Sequence, residues 1–367
     1  MTPAKLEGQS TQPVIALLTE IKEDSGPDFG KVHSFCEELH QGISETGGSF
    51  YVFSLKGFSD DGVEGFFYDQ DTEEWKKGSL PLPDVIYNRV SSRRTEFSKG
   101  FMGFLNKLDT LGIKIFNHRF LSKWEIHEFL MKEEHLQSFI PETHLYTESM
   151  LKKMLQLYDV LYIKPVHGSQ GRNIIQLVQS DGSINVSLSA LPAKDLPPFK
   201  QIGELARTIA PIVEKRLCII QQGVQLSELN GRIMDFRVLC HKNAQQFWKV
   251  TSIVARVSAE QYFVSNIARG GEAMKPAQTL ALIFGKEQAR HQLALMKELA
   301  LETAETISRH AEGHNAELGI DIGIDIKGSL WLIEANSKPS KNFEERGSKI
   351  RPSTKAIIDH CYGLCER

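Results

Sequence analysis

The chain has 367 residues, with 43 Lys and Arg against 46 Asp and Glu and a formal net charge of -3. That length suggests two or three folding units, and 41% hydrophobic with 24% charged residues excludes a disordered or fibrous protein. The nearly balanced charge argues against sequence-independent nucleic-acid binding, and no apolar run approaches the roughly 20 residues of a membrane helix.

The first residues and the cysteines indicate the cellular compartment. The start of the chain is polar and lacks the apolar segment of a signal peptide, which predicts a cytoplasmic protein. Five scattered cysteines do not form the pattern of a disulfide framework. Cys361 and Cys365 lie one helical turn apart beside His360 and could begin a metal site, but no second cluster matches them. We interpret them as half-buried thiols of a terminal helix.

The first part of the chain alternates strands with helices. Strands are predicted at 14–18, 50–55, 84–88 and 113–116, and helices at 32–46 and 97–111. Strand-helix-strand order with short links predicts a parallel sheet with helices on its faces, which we assign to a domain of residues 1–121. This segment has no GxGxxG motif, so the dinucleotide-binding fingerprint is absent.

From residue 122 onward the pattern becomes α+β. Ser122 and Glu125 form a capping box that opens a helix predicted at 123–132. Further helices are predicted at 148–158, 202–215, 286–311 and 353–361, with the Pro-rich residues 191–199 as a connector. Strands are predicted at 160–164, 217–221, 234–241, 244–257, 318–326 and 329–335, with two more before residue 188. We divide this region into subdomains of residues 122–220 and 221–367.

A lysine followed by a glycine-rich loop is the strongest local signal. Lys164 ends a predicted strand, and Gly168, Ser169 and Gly171 follow it. Glycine lets backbone N–H groups approach phosphate oxygens without interference from Cβ, and the lysine supplies a point charge. The pattern is not a P-loop, because the lysine precedes the glycines and no helix follows. A phosphate-binding loop and an ordinary hairpin turn both remain open.

Lys123 adds a second cation to this pattern. It lies in the first turn of its predicted helix, where the macrodipole disfavours a cation by about 0.3–1 kcal/mol. A solvated lysine tolerates that penalty, whereas an anion bound nearby would explain the placement. His167, in the glycine-rich loop, could contact phosphate or be incidental.

Near the carboxyl end, two apolar strands meet at Lys327-Gly328 and predict a β-hairpin. With the turn centred there, Asp321 falls opposite Glu334, and Asn336 shares their face. The Cβ atoms of the two acids would be about 4.5–5.5 Å apart. Two carboxylates and an amide oxygen form a hard-oxygen site suited to Mg²⁺ that bridges ATP phosphates. The alternative is an exposed polar sheet face.

Asp325 belongs to the same hairpin but lies closer to its turn. The predicted register pairs it with Leu330, roughly 13 Å along the strand from the two acids at about 3.3 Å per residue. We therefore interpret Asp325 as a solvated residue near the turn rather than a ligand.

Basic residues on the preceding strands complete the set. Asp235 and Arg237 share one strand face, Arg256 lies on the next strand, and Asn266 and Arg269 fall in a polar loop after it. Arginine can pair bidentately with carboxylate or phosphate. Taken singly, each arginine is more typical of an ordinary surface ion pair.

Taken in chain order, these residues resemble the ATP-grasp proteins. The resemblance covers most of the chain and depends on Lys123, the Lys164–Gly171 loop, Asp235-Phe-Arg237, Arg256, Asn266-x-x-Arg-Gly-Gly, Asp321 and Glu334-x-Asn336-x-x-Pro339. More narrowly, the Gln221-Gln222-Gly223 and Glu334-Ala-Asn-Ser-Lys-Pro339 segments resemble the YheC/YheD-type endospore-coat-associated proteins. The implied fold is a parallel α/β domain followed by two α+β subdomains that clasp ATP.

The resemblance also implies where the nucleotide and metal would bind. Lys123 and Lys164 would contact ATP phosphates, with the 168–171 loop closing over them. The other implied ligands are Gln221, Gln222 and Val224 for adenine, Glu228 for ribose, Asn266 for the nucleotide, and Asp321, Glu334 and Asn336 for one or two Mg²⁺ ions. Many relatives have a Glu in the hinge where this chain has Gln221 or Gln222, whose carbonyl can still accept from the adenine amino group.

The implied chemistry is ATP-dependent joining of a carboxylate to an amine through an acyl phosphate. Arg256 would stabilise the transferring phosphoryl group, assisted by Arg237 and Arg269. The substrates would be small molecules or peptides, with spore-coat proteins as partners and a cytoplasmic location at the forespore or spore coat. Two alternatives stay open: a structural coat protein that binds nucleotide without turnover, and a kinase that uses the same fold.

Overall fold

Three sheets follow one another along the chain in the computed structural model. The structure describes residues 12–23, 26–168, 171–189, 194–258, 271–341 and 350–366. Of the predicted site residues, Ser169, Asn266 and Arg269 lie outside these ranges. Among the helices of the described ranges, none is long and apolar enough to cross a membrane.

The first sheet has six strands in the order β4-β3-β2-β1-β5-β6. They are β1 (Val14–Leu18), β2 (Ser49–Phe58), β3 (Val63–Asp69), β4 (Glu74–Leu80), β5 (Val85–Asn88) and β6 (Lys114–Phe116). Strands β2, β1, β5 and β6 are parallel, as predicted, and α1 (His33–Glu45), α2 (Arg93–Glu96) and α3 (Lys99–Leu111) connect or flank them. The prediction missed β3 and β4, which extend β2 as an antiparallel ribbon. Strand β4 has no fully buried residue, so its sequence lacks a clear apolar alternation.

The second sheet has the order β11-β10-β9-β8-β12-β7 and is antiparallel throughout. Its strands are β7 (Thr143–Leu145), β8 (Val160–Pro165), β9 (Ile175–Ser180), β10 (Ser183–Leu188), β11 (Lys194–Phe199) and β12 (Cys218–Gln222). The helices α6 (Glu148–Leu155) and α7 (Ile202–Val213) cover its apolar face.

The prediction that the Pro-rich residues 191–199 form a connector is wrong in part, because Lys194–Phe199 form the edge strand β11. Its pairing with β10 shifts register next to Pro197 and Pro198. An edge strand with a bulge tolerates proline, since the missing N–H faces away from the ladder.

The third sheet has the order β16-β15-β14-β17-β18, with β13 also paired to β14. Its strands are β13 (Glu228–Leu229), β14 (Arg232–Lys242), β15 (Trp248–Val257), β16 (Glu272–Met274), β17 (Glu317–Ile324) and β18 (Leu330–Asn336). The helices α8 (Pro276–Phe284) and α9 (Lys286–His310) pack on one face. The opposite face of the third sheet carries residues that lie toward the second sheet.

Helices also join parts of the chain that are distant in sequence. The helices α4 (Lys123–Leu130) and α5 (Glu134–Gln137) contribute Ile126, Leu130 and Leu136 to the core of the third sheet. The terminal helix α10 (Pro352–Cys365) packs instead into the core of the first sheet. The predicted range 1–121 contains the first sheet, whereas β12 of the second sheet crosses the predicted boundary at residue 220. The domain boundaries themselves stay a prediction.

The cysteines are free thiols, in agreement with the absence of a disulfide pattern. Cys361 is buried in the first core, and burial raises its pKa well above the usual value. His360 contacts His314, with 3.0 Å between their Nε2 atoms, rather than a cysteine. Within the described ranges, no three or more His, Cys, Asp or Glu side chains are grouped so that they could hold a metal ion.

Candidate nucleotide and metal site

A cleft of about 150 Å³ lies between the second and third sheets. Ten of the sixteen site residues predicted from the sequence line it: Lys164, Gly171, Gln221, Gln222, Val224, Arg237, Arg256, Asp321, Glu334 and Asn336. Asp235, predicted to share a strand face with Arg237, lines it as well. Residues that are far apart in sequence therefore converge on one cavity, and this is the candidate site.

Both predicted lysines reach this cleft region from opposite sides. The capping box forms as predicted, with the Ser122 side chain and the Glu125 carboxylate each bonded to the other's backbone N–H. It places Lys123 in the first turn of α4, where its Nζ donates to Glu334 Oε1 (2.9 Å) and to the Gly168 carbonyl (3.0 Å). Lys123 thus connects the glycine-rich loop with a predicted metal ligand.

Lys164 is the more buried of the two lysines, with 9% of its surface exposed. Its Nζ donates to Gln221 Oε1 at 2.5 Å and lies 5.4 Å from the centre of the Tyr162 ring. Burial lowers the pKa of Lys164 to about 8. The nearby Lys123 charge also acts to lower this pKa, whereas the Glu334 carboxylate acts to raise it. A buried ammonium held by a neutral amide is well placed to receive an anion.

Two arginines and two aspartates form a row across neighbouring strands. Asp235 on β14 lies opposite Arg256 on β15, and Arg237 on β14 lies opposite Asp321 on β17. Arg256 Nε donates to Asp235 Oδ1 (2.6 Å), and its Nη2 lies 3.1 Å from Asp321 Oδ1. Arg237 donates to both oxygens of Asp321, at 2.5 and 3.0 Å.

The charges of this row hold one another in the ionised state. Burial alone would raise the pKa of Asp321, but Arg237 and Arg256 together lower it. Burial alone would likewise lower the pKa of Arg256, but the carboxylates of Asp235 and Asp321 raise it. The row is therefore a rigid, permanently charged surface in the cleft wall.

Gly319 makes room for this row. A Cβ at Gly319 would lie 2.7 Å from Pro339 Cβ and 3.2 Å from Arg237 Nη1. Any other residue would push the guanidinium or the strand away. The sequence signal was present, a glycine two residues before Asp321 on the same strand face, but its reason appears only in the packed structure.

The hairpin register confirms the predicted pairing of Asp321 with Glu334. The register shifts between Asp321 and Ile322, so that Ile322 pairs with Leu332 and Ile333 is an extra residue. The predicted pairing of Asp325 with Leu330 is wrong for this reason, because Leu330 pairs with Ile324.

Asp325 has a structural role in the turn. Its Oδ1 accepts from the backbone N–H groups of Lys327 (2.9 Å) and Ser329 (2.8 Å). Its Oδ2 accepts from Trp331 Nε1 at 3.0 Å. Asp325 is thus near the turn, as predicted, but it is hydrogen-bonded there rather than merely solvated.

The residues present fit a magnesium ion. Asp321, Glu334 and Asn336 bring two carboxylates and an amide oxygen into one cleft, which is the oxygen donor set that Mg²⁺ takes. Asp321 Oδ2 accepts a hydrogen bond from Arg237 and has a second lone pair that can bind a cation. The Lys123 ammonium lies 2.9 Å from Glu334 Oε1 and supplies a positive charge beside this carboxylate.

The hinge side of the cleft is formed by β12 and the residues after it. Gln221 is held on both ends of its amide, by Lys164 and by Thr143 Oγ1 (2.9 Å). Gln222 Oε1 accepts from the Glu142 backbone N–H at 3.1 Å, while Val224 lines the cleft. The side chains of both glutamines are thus engaged, so the predicted contact with adenine would fall to the backbone groups of this segment.

Glu228 and the glycine-rich loop lie at the edge of the site. Glu228 is exposed on β13 and is not among the cleft-lining residues, so its contact with ribose stays a prediction. Gly171 has a φ of 63°, a conformation that favours glycine, and its carbonyl accepts from Ser189 Oγ. His167 is exposed beside this loop, and burial of its ring together with the nearby Arg93 charge lowers its pKa.

Sequence reasoning missed the apolar lining. Pro141, Ile174, Leu226, Ile233 and Ile333 line the cleft beside the charged residues. Strand alternation could have found Ile233, two residues before Asp235 on the same strand. The others reach the cleft from separate loops and from the bulge, where no local periodicity marks them.

The sheets and this cleft define an ATP-grasp protein. The fold is similar to that of the ATP-grasp ligase PsnB complexed with minimal precursor (TM-score 0.52, 13% identity, covering 95% of this chain and 100% of that chain). It is also similar to D-alanyl-alanine synthetase A from Vibrio cholerae O1 biovar eltor str. N16961 (TM-score 0.56, 12% identity, covering 97% and 99%). At these identities the likeness concerns the fold alone.

The family follows from the sequence match. Residues 112–364 match the family described as YheC/D like ATP-grasp, and the chain belongs to that family. It is 31% identical to the endospore coat-associated protein YheD of Bacillus subtilis (strain 168), over 83% of this chain and 67% of YheD. The predicted resemblance to the YheC/YheD-type proteins is confirmed.

Proposed function

We propose that this protein is an ATP- and Mg²⁺-dependent carboxylate–amine ligase that acts through an acyl phosphate. The observation that supports this most is the buried row of Arg256, Asp235, Arg237 and Asp321 beside Lys164 in one cleft. Phosphoryl transfer needs fixed positive charge and positioning more than a nucleophilic side chain. A cleft with buried cations and no activated nucleophile among its lining residues suits that reaction.

In this proposal the lysines and the glycine-rich loop hold the triphosphate. Lys164 offers its ammonium from the sheet, and Lys123 from the start of α4, while Gly168 and Gly171 let the backbone approach. Ser169 and Asn266, which lie outside the described residues, are proposed as further nucleotide contacts. Adenine would lie along Gln221–Val224 against the apolar wall of Ile174 and Ile333, and the exposed Glu228 is proposed for the ribose.

The reaction would proceed in two displacements. A substrate carboxylate oxygen attacks the γ-phosphorus, and the bond to the β,γ-bridging oxygen breaks with its electron pair leaving on ADP. An amine nitrogen then attacks the acyl carbon, phosphate leaves, and the nitrogen loses a proton to solvent. Arg256 would balance the negative charge of the transferring group, with Arg237 and the undescribed Arg269 assisting.

Asp321, Glu334 and Asn336 would hold the magnesium. When bound, Mg²⁺ neutralises phosphate charge and polarises the transferring phosphoryl group. Lys123 would then move from Glu334 Oε1 to phosphate, because the metal would take over as the positive partner of the Glu334 carboxylate. The arginine pair on Asp321 keeps that carboxylate ionised and oriented toward the cleft.

We further propose that the substrates are small-molecule or peptide acids and amines, and that a spore-coat component is among them. The support for the second part is the name of YheD, an endospore coat-associated protein. A location in the cytoplasm, at the forespore or spore coat, belongs to the same proposal.

Hydroxylamine trapping tests the proposed function. The protein is incubated with Mg²⁺-ATP, pooled amino acids or peptides, and hydroxylamine, and ADP and hydroxamate are measured. A ligase forms both in equal amounts. ADP without hydroxamate would indicate a kinase that phosphorylates another acceptor. Mg²⁺-ATP binding with no ADP release would indicate a structural protein that keeps a nucleotide site.

The variant Glu334→Gln tests the metal ligands. Removing this charge while keeping its shape should weaken Mg²⁺-ATP binding or turnover at least tenfold, because one of two carboxylates for the cation is lost. Asp325→Asn is the matched control, since it removes a carboxylate of the same hairpin outside the cleft and should change either quantity less than twofold. Calorimetric titration with Mg²⁺-ATP measures the affinity of both variants, and ADP release measures their turnover. Equal effects of the two variants would contradict the assignment.

A further inference from the structure

We propose that Arg93, which belongs to the first domain, binds the carboxylate of the acid substrate at the phosphate end of the cleft. This inference rests on the ligase function proposed above. It assigns a substrate-binding role to a residue of α2 that none of the sequence motifs includes.

The loop that precedes Arg93 is held in place by hydrogen bonds. Glu20, after β1, accepts from the backbone N–H groups of Ser91 and Ser92, both at 2.9 Å, and from Ser91 Oγ at 3.0 Å. The Ser92 side chain in turn accepts from the Thr95 backbone N–H at 3.1 Å. The loop after β5 is therefore fixed by a carboxylate and a cap, and Arg93 is presented from a defined position.

The guanidinium of Arg93 has no counter-ion within the part of the chain that the structure describes. It lies over the ring of Phe120, with 4.6 Å from Cζ to the ring centre. Its Nε is buried and makes no hydrogen bond there. A buried donor without a partner destabilises the folded state, so Arg93 Nε is open to a ligand that accepts a hydrogen bond.

The neighbouring carboxylate of Glu96 is already engaged by others. Its Oε1 accepts from the Lys338 ammonium and from Asn88 Nδ2 (3.1 Å), and its Oε2 accepts from the Phe120 backbone N–H (2.8 Å). Glu96 is fully used in joining α2 to the segment after β18, and Arg93 is left facing outward from this junction.

The packing around Phe120 and the electrostatic surroundings both place Arg93 near the cleft. The Lys338 ammonium lies over the same ring, 5.1 Å from its centre, and Lys338 is two residues after the cleft residue Asn336. Burial lowers its pKa, while the charges of Glu96 and of the cleft residue Glu334 act to raise it. The Arg93 charge in turn helps to lower the pKa of His167 in the glycine-rich loop, after the larger effect of burial. Arg93 therefore lies within electrostatic reach of a proposed metal ligand and of the phosphate-binding loop.

A carboxylate is the group that this position suits. Guanidinium binds carboxylate bidentately, and its planar face is already stacked on an aromatic ring. The Phe120 ring under Arg93 is three residues before Lys123, which donates to Glu334. An acid bound to Arg93 would therefore lie on the Lys123 side of the cleft, where the triphosphate is proposed to bind. The ammonium of the amine substrate would be repelled there, which favours the acid as the occupant.

The experiment uses the full-length protein with Mg²⁺-ATP, hydroxylamine and a pool of the twenty standard amino acids with their N-acetyl derivatives, followed by the active members singly. Hydroxylamine replaces the unknown amine. Arg93→Gln should raise the half-saturating acid concentration at least tenfold and leave the affinity for Mg²⁺-ATP within twofold, and Arg93→Lys should fall between. Arg94→Gln is the matched control, since Arg94 is exposed and adjacent. It should change neither quantity more than twofold.

The outcomes separate this inference from the proposed function. Hydroxamate formation by the wild type with unchanged acid saturation in Arg93→Gln would overturn the inference alone. A tenfold loss of Mg²⁺-ATP affinity in Arg93→Gln would place the arginine on phosphate and would also overturn it. A wild type that binds Mg²⁺-ATP but forms no ADP or hydroxamate with the pool would refute both proposals. Melting temperatures of the variants within about two degrees of wild type would show that folding is intact.

Discussion

Lys164 differs from the other cations of the cleft in the kind of partner it has. Arg237 and Arg256 are each bound to carboxylates, whereas the Lys164 ammonium donates to the neutral amide of Gln221. In the described part of the chain, no carboxylate is hydrogen-bonded to the Lys164 ammonium to offset its burial, and burial lowers the pKa of Lys164 to about 8. Nucleotide binding should depend on whether this lysine carries a proton.

Mg²⁺-ATP affinity is expected to fall above pH 8. Bound phosphate raises the pKa of Lys164, so binding takes up a proton whenever the free protein has lost it, and each pH unit above 8 weakens affinity by up to tenfold. Below pH 7.5 the lysine is already charged, and affinity should be level. Calorimetric titration from pH 6.5 to 9.5 measures the profile.

Lys164→Arg provides the comparison for this profile. Arginine stays charged across the whole range, so the variant should bind with an affinity that does not change between pH 7.5 and 9.5. Parallel slopes in the wild type and the variant would show that another group causes the pH dependence.

At the scale of elements, β17 connects the site with the first domain. Asp321 lies in its cleft-facing part, and Glu317 lies at its other end, fully buried. The Glu317 carboxylate accepts from Tyr87 (2.5 Å), Arg89 (3.0 Å) and the Lys341 ammonium, and His241 Nε2 lies 3.2 Å away. Because Tyr87 belongs to β5 and Arg89 follows it, this cluster joins the first sheet to the strand that carries the proposed metal ligand Asp321.

Glu317→Gln should destabilise the folded protein by about 3–5 kcal/mol. The change leaves the Arg89 and Lys341 charges buried without their carboxylate, and breaking a buried pair costs about that much. Urea unfolding at pH 7 measures the loss of free energy of unfolding. Glu298→Gln on the exposed face of α9 is the control and should stay within about 0.5 kcal/mol of wild type.

The same cluster makes a pH-dependent contribution of known sign. Burial alone would raise the pKa of Glu317, but Lys341 and Arg89 hold it well below the usual value. The stabilisation is therefore complete above the pKa of the unfolded carboxyl and is lost as the pH falls toward the folded pKa. The difference in stability between wild type and Glu317→Gln should shrink on acidification, and a constant difference would contradict this account.

At the scale of the whole molecule, the two ends of the chain share one core. Ile357, Ile358, Cys361 and Leu364 of α10 pack with residues of β1, β2 and α1. Arg351, just before α10, donates to the Glu38 carboxylate of α1 at 2.7 Å. The first domain is thus completed by a helix that follows the strands of the third sheet in the chain, which couples its stability to theirs.

Ile357→Ala should cost about 2–5 kcal/mol, because Ile357 is 1% exposed and the change leaves a cavity in this core. Hydrogen exchange should accelerate in the amides of β1 and β2 more than in those of β9 and β10, which belong to a separate core. Leu282→Ala is the control, since Leu282 is 70% exposed. Uniform acceleration across all three sheets would show that the molecule opens only globally.

The sequence alone determined the features that depend on neighbours in the chain. Apolar alternation and helical spacing placed most strands and helices, the Ser122–Glu125 pair marked the start of α4, and the turn at Lys327-Gly328 put Asp321 opposite Glu334. These signals are local, because capping, strand alternation and hairpin register act over a few residues or across one turn. Chain order of the motifs was then enough for the resemblance to the ATP-grasp proteins.

Only the tertiary structure decided which charges meet and which stay free. The bulge at Ile333, the edge position of β11, the pairing of both arginines with Asp321 and the docking of α10 depend on contacts between distant segments. Burial of Lys164 and the unpaired state of Arg93 within the described chain depend on the same packing. Burial and charge pairing are properties of three-dimensional surroundings, and no short stretch of sequence contains them.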